Sequence, residues 1–183
     1  MKITKFIASA LVLLFFQSCT KEVDFNQLDD ANINAKYIST LVYLNLTAPK
    51  FLDQFNQETR EISDLIEAPI STDYKDYLEK LEFTIITKNS FSRTFRVRII
   101  FYDEFNQPIY ELQPIINVPK NSPELTTIIE IPKEDISVIY NTQYFGFHVF
   151  LTPSTDGSVI SINDISTLDL KSSVKLFFNF RKT

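Results

Sequence analysis

One histidine, His148, and one cysteine, Cys19, bound the chemistry open to this 183-residue chain. A serine or cysteine nucleophile needs a base beside it, and a soft-metal site needs several thiolates or imidazoles, so a single residue of each type leaves little to build with. His148 lies in Tyr144-Phe145-Gly146-Phe147-His148-Val149-Phe150, where Phe145, Phe147, Val149 and Leu151 alternate with it as an apolar row. It therefore reads as a histidine on the polar face of a strand. No GxSxG elbow, HExxH helix or phosphate-cradling glycine loop occurs.

Carboxylates remain, and none is singled out. Asp29-Asp30 and Thr155-Asp156-Gly157-Ser158 are the best calcium-type candidates, but neither has alternating oxygen ligands, and a hairpin turn explains Asp156-Gly157. No two of the 23 acids are set apart as a glycosidase pair. The expectation is no catalytic residue, no metal and no cofactor.

Cys19 has a more informative position. Met1-Lys2-Ile3-Thr4-Lys5 is cationic and Phe6 to Phe16 is an 11-residue apolar run, short of the roughly 20 residues that span a bilayer. Phe16-Gln17-Ser18-Cys19 resembles the bacterial lipobox, with Phe16 in place of the usual leucine and Gln17 more polar than usual. The resemblance implies a signal peptide over residues 1–18 and a lipidated Cys19. Two or three acyl chains, at ~0.8 kcal/mol per buried methylene, would moor the protein stably where one would not. Thr20 stands where aspartate would retain such a protein in the inner membrane, so the outer membrane is expected. Lys21, Glu22 and Asp24, interrupted by Val23, resemble a surface-export signal and tilt the expectation toward the cell surface rather than the periplasmic face.

Without its first 18 residues the chain has 16 basic and 23 acidic side chains, a formal charge of −7, which excludes nucleic acid as an expected partner. The 165 residues that remain suit one domain. Residues 20–37 are polar and read as a tether following Cys19, which leaves 38–183 as the folded domain.

That domain is written in strand formers, with 17 Phe and 8 Tyr. Period-two alternation marks Thr40 to Leu46, Lys80 to Lys88, Ser92 to Asp103, Ile109 to Val118, Leu125 to Ile131, Tyr144 to Thr152 and Leu168 to Arg181. Pro114 places its strand on an edge or at a bulge, and Lys80 to Leu112 reads as a three-stranded meander. With only two glycines, turns at positive φ must use Asn and Asp. Phe51 to Ile66 reads either as a helix or as a loop with a strand near Glu61 to Ile66, while Pro132 opens a short helix. The fold class expected is mainly β: an antiparallel β-sandwich, Ig-like or a related Greek key, with one or two short helices.

Tyr102, Tyr110, Phe150 and Phe177 fall opposite core rows, as do Tyr43 and Tyr144, and the first four are the candidate partner-binding face. Such aromatics suit a protein partner, or glycan stacking, although the chain has no tryptophan. Arg93, Arg96 and Arg98, with Lys88 nearby, are the basic cluster. They are expected to pair with acids on a neighbouring strand, the alternative being anionic lipid or polysaccharide.

The run Asn89-Ser90-Phe91-Ser92-Arg93-Thr94-Phe95-Arg96-Val97, then Phe101-Tyr102-Asp103 and Tyr110, together with Ser18-Cys19-Thr20-Lys21-Glu22-Val23-Asp24-Phe25, resembles a group of small outer-membrane lipoproteins of flavobacteria and other Bacteroidota. The resemblance implies a lipid-anchored, β-rich envelope protein and brings no catalytic residue. The functional expectation is a non-enzymatic accessory or structural subunit of an envelope protein complex, such as a transport or secretion assembly. The alternative is a surface glycan-binding module.

Overall fold

Several strands begin or end where the two-residue apolar alternation meets a proline, an asparagine or an aspartate, as at Asn89, before Asp103 and before Pro119. In a computed structural model that describes residues 32–67, 69, 72–154 and 157–181, nine strands follow one another: β1 (Asn32–Thr47), β2 (Glu61–Glu67), β3 (Leu78–Asn89), β4 (Phe95–Tyr102), β5 (Pro108–Glu111), β6 (Ile116–Val118), β7 (Ser122–Pro132), β8 (Tyr144–Leu151) and β9 (Thr167–Arg181). One short helix, α1 (Lys133–Ile139), starts at Pro132 with Glu134 and Asp135 in its first turn, as the sequence leads one to expect. Single 3₁₀ turns cover Ala48–Phe51 and Thr72–Tyr77. The lipobox with Cys19, the Lys21, Glu22 and Asp24 signal, Asp29-Asp30, and Thr155 and Asp156 lie outside the described residues.

Two antiparallel sheets pack as a sandwich, one in the order β1-β9-β3-β7 and the other β2-β8-β4-β5, with β6 also on β4. β5 and β6 lie along the same side of β4, opposite Ile100–Tyr102 and Phe95–Val97 respectively, and so act as one edge strand broken at Pro114. The pairing is then that of a long hairpin rolled up: β1 with β9, β2 with β8, β3 with β7 and β4 with β5 and β6. Contacts of β9 with β3 and of β8 with β4 close the roll. This is the double Greek key of a jelly roll, and not the Ig arrangement.

Two sequence expectations change and one open choice is decided. The meander from Lys80 to Leu112 does not form, because β3 and β4 lie in different sheets. Asn89 is buried and its side-chain amide binds the carbonyls of Arg93 and Pro119 while its oxygen accepts from the Phe91 amide, so the chain crosses the end of the sandwich with Phe91 turned into the core. β1 begins at Asn32, so residues 32–37, expected as tether, are strand. Between the two readings of Phe51 to Ile66, the loop followed by β2 is the one adopted.

The core of the unit Ile33–Phe180 is built on phenylalanine. Phe83 and Phe145 pack around Phe101 from both sheets, the Phe83 and Phe101 rings meeting edge-on at 5.7 Å. Phe51, Phe91 and Phe95 form a second cluster under one end of the sandwich, with ring centroids 4.9 to 5.6 Å apart. Aromatic pairs of this kind add about 0.5–1.5 kcal/mol beyond the area they bury. The positive-φ positions include Asn56, Asn106 and Asn121, which supply the turns that glycine does not. Phe91 is fully buried while Phe105 is 72% exposed. In urea unfolding, Phe91→Ala is therefore expected to lower stability by roughly 3–5 kcal/mol, and Phe105→Ala by no more than about 0.5 kcal/mol.

Candidate functional site

At the end of the sandwich where β1 finishes and β2, β4 and β9 begin, four connections meet. They are tied by Arg93, whose side chain is 5% exposed. Its guanidinium donates to the Glu58 carboxylate, to the Ser158 carbonyl at 2.9 Å and to the Thr152 carbonyl at 2.9 Å. Glu58 in turn accepts from the Ile160 amide at 2.7 Å. Asn89 binds the Arg93 carbonyl and extends the network to Pro119. The sequence singled out Arg93 but assigned it a partner on a neighbouring strand. The acid comes from the β1–β2 loop instead, because Arg93 precedes β4 and points across the sandwich end rather than along the sheet.

Beside this network a groove of 860 Å³ opens on the outer face of the β2-β8-β4 sheet. Arg96 and Phe150 stand opposite each other in the β4–β8 register and both line it, with Arg60 from the start of β2 and Ser154 and Ser158 from the loop after β8. Arg98 also lines the groove but is held: its guanidinium grips both Glu111 oxygens, at 2.7 and 2.6 Å, across to β5. This is the cross-strand pairing that the sequence leads one to expect. The hydrogen bonds from Arg98 hold the Glu111 carboxyl below its ordinary value, and Glu111 holds the guanidinium still more firmly charged. Arg60 and Arg96 are exposed, and their side chains have no hydrogen-bond, ion-pair or ring partner among the described residues. Thr59 Oγ1 and Thr152 Oγ1, buried at the groove wall, also lack a hydrogen-bond partner among them.

Further along the same face, His148 spends both ring nitrogens inside the sheet. Nδ1 lies 2.7 Å from Glu61 Oε1 on β2, and Nε2 lies 2.8 Å from the Tyr102 hydroxyl on β4. Burial pushes the Tyr102 hydroxyl pKa up, so this phenol is not poised as a phenolate. Gly146 makes the arrangement fit, since a Cβ there would come within 2.5 Å of Tyr102 Cε2. His148 is thus a polar-face strand residue, held by a carboxylate and a phenol.

The four candidate aromatics do not share one face. Tyr102 and Phe150 lie on this outer face, Phe150 stacked beside His148 at 16° and 6.4 Å with Arg98 over its ring. Tyr110 packs onto the core and meets Phe101 edge-on at 5.6 Å. Phe177 belongs to the other sheet, where the Lys80, Lys36 and Lys175 ammonium groups stand 4.5, 5.4 and 5.7 Å from its ring centre. The break at Pro114 and the packing of the sheets decided these placements, and alternation alone carries neither. Of the other aromatics, Tyr144 lies opposite Tyr102 and Tyr43 is exposed on β1.

The sequence reading passed over two features. Glu58 carries no local signal, because it lies in an irregular loop and its partner is 35 residues away. A repeated turn was legible: Asp53-Gln54-Phe55-Asn56-Gln57 and Asp103-Glu104-Phe105-Asn106-Gln107 fold alike. In each, the aspartate Oδ1 accepts from the amides two and four residues on, at 2.8 to 2.9 Å, and the asparagine sits at positive φ. Both turns leave their phenylalanine exposed.

No protein-family model matches the chain, and no curated protein matches it. Among solved structures it is similar to a protein from Parabacteroides distasonis inferred to be secreted, at 18% identity and a TM-score of 0.50 over 63% of this chain and 37% of the other. It is also similar to the infectious bursal disease virus Gx strain structure, at 8% identity and a TM-score of 0.46 over 80% and 32%. The chain spans about a third of the length of these structures. The first likeness supports the β-rich fold and nothing finer.

Two measurements check the site. Arg93→Met is expected to destabilise the protein by about 3 kcal/mol by leaving Glu58 without its counter-charge, and Glu58→Met added to it should cost less than the sum of the two single changes. A double-mutant cycle in urea that is additive would contradict the pairing. Glu111 acts through pH: a carboxyl whose pKa falls on folding stabilises the protein above its unfolded value near 4.5 and loses that contribution as pH drops through the folded value. Glu111→Gln should therefore melt below the wild type at pH 6, with the difference shrinking by pH 3.

Proposed function

We propose that this protein is a non-enzymatic envelope lipoprotein, moored to the outer membrane through lipid on Cys19, whose folded domain presents a binding groove at its Arg93 end. One observation carries the reading: Arg60, Arg96 and Phe150 converge on an 860 Å³ groove held open by a buried ion-pair network. That is a volume in the range of ligand sites, roughly 300–1,000 Å³. The groove lies at the end of the sandwich where β1 finishes. Of the two readings weighed from sequence, this favours binding of an external ligand over docking through a continuous aromatic face.

Binding rather than turnover follows from how the ionisable groups are held. Glu58 and Glu111, the groove's carboxylates among the described residues, are each satisfied by an arginine, and the hydrogen bonds from Arg98 lower the Glu111 pKa, the wrong direction for a general acid or a proton shuttle near neutrality. His148 offers no free ring nitrogen. No cofactor enters this reading.

The accessory-subunit reading keeps support from a different observation. Val159, Ile162 and Ile165 are exposed on the loop after β8 at the groove end, Ile165 almost completely. Exposed apolar side chains gathered on one loop favour contact with another envelope protein.

The anchor is tested with Cys19→Ser. The wild-type chain should take up a palmitate label and sediment with outer membranes, while the variant takes up none and stays soluble. Equal sedimentation of the two would remove the mooring. Gentle detergent extraction of the lipidated protein, followed by identification of what co-purifies, tests the partner.

A further inference from the structure

We propose that the groove binds a uronic-acid-containing polysaccharide, with Arg96 and Arg60 holding sugar carboxylates and Phe150 carrying a ring face. The inference rests on the binding-module reading above and adds the ligand's chemical class.

Charge gives the first argument. The chain after its first 18 residues has formal charge −7, so no general attraction draws a polyanion to it, and capture must depend on a local cluster. Among the groove's arginines, Arg93 and Arg98 are committed to Glu58 and Glu111. Arg96 and Arg60 are not committed to any described residue. A planar guanidinium presents paired N–H donors that match a carboxylate bidentately. Among the described residues the groove's acids are Glu58 and Glu111, each paired with an arginine of its own.

The second argument is the surface between the charges. Phe150 lies directly across from Arg96 in the strand register, within side-chain reach of it, and the Arg98 guanidinium stands 5.8 Å from its ring centre, so a sugar stacked there shares the ring with Arg98. Ser154 and Ser158 line the same groove from the loop after β8, with their hydroxyl oxygens 3.1 Å apart. An aromatic ring, hydroxyls and guanidinium groups in one open channel fit the C–H face, the hydroxyls and the carboxylate of a hexuronic acid, respectively. A phosphate or headgroup would use the charge but leave the ring idle. Another cationic surface, Lys36, Lys80 and Lys175 around Phe177, carries Glu82 and Glu130, which lie within ion-pair distance of Lys80 and, for Glu82, of Lys175. Lys175 holds the Glu82 carboxyl pKa low. That face therefore has less to offer an anion.

The test uses the full lipidated protein in detergent and measures retention by affinity electrophoresis and titration with polygalacturonate, neutral dextran and inorganic polyphosphate. The expected result is micromolar binding of polygalacturonate, no binding of dextran, and polyphosphate at least tenfold weaker. Arg96→Ala and Phe150→Ala should each weaken polygalacturonate binding at least tenfold, whereas Lys171→Ala on the opposite sheet leaves it unchanged. Polygalacturonate binding that survives both groove substitutions, or that polyphosphate equals, overturns the proposal, as does an absence of binding. If the protein binds no polysaccharide yet still takes lipid on Cys19 and co-purifies with an envelope protein, the ligand assignment fails while the envelope reading stands.

Discussion

A guanidinium that is 5% exposed and always charged must have its donors met by the protein, and this constraint on Arg93 shapes one whole end of the fold. Its partners come from two segments, Glu58 before β2 and the Thr152 and Ser158 carbonyls after β8, while Asn89 reaches from Arg93 to Pro119 before β7. Beneath them, Phe51, Phe91 and Phe95 fill the sandwich end. A hydrophobic isostere could fill the space equally well, but it would not fix the register of four connections against one another. The network thereby sets the wall of the groove, since Glu58, Arg93, Thr152 and Ser158 all line it.

Along the rest of that face, sheet geometry does the positioning. β4 alternates, sending Phe95, Val97, Ile99 and Phe101 inward and Arg96, Arg98 and Tyr102 outward, with the buried Ile100 as the one apolar residue in the outward row. Each polar outward residue then meets what the neighbouring strand places beside it: Phe150 for Arg96, Glu111 on the far side for Arg98, and His148 for Tyr102. Gly146 matters here because the Tyr102 ring occupies the space a side chain would need. The difference between Arg96 and Arg98, two residues apart on one strand, is a difference of neighbours: β5 ends at Glu111, within reach of Arg98, and β6 opposite Arg96 offers Asn117.

Alternation made most strands and their inward rows legible, because a period of two survives wherever one face is buried. β4, β7, β8 and β9 lie where their apolar patterns place them. The sheet to which each strand belongs was not legible, because β3 to β4 is separated by a short polar stretch that serves a hairpin and a sheet crossing equally well. Asn89, Phe91 and Arg93 make it a crossing through contacts distant in sequence. For the same reason Phe177 and Phe150, both opposite core rows, end on different layers. The basic cluster was visible, but its division into a buried staple, a paired residue and an unpaired one depended on Glu58 and Glu111, whose placement only the folded chain defines.

The central claim is that the Arg93 network makes the groove end one cooperative unit, and native-state hydrogen exchange reads this directly. The amides of Phe91, Asn121, Thr152 and Ile160 are bonded respectively to Asn89, Phe91, Thr94 and Glu58; the donors lie in three of the four connections, Thr152 and Ile160 both after β8, and Glu58 brings in the fourth. They should share a common opening free energy, and in Arg93→Met all four should lose protection together while the Ile85 and Phe101 amides in the sheets keep theirs. Independent exchange of the four, or protection at Ile160 unchanged by Arg93→Met, would contradict the account.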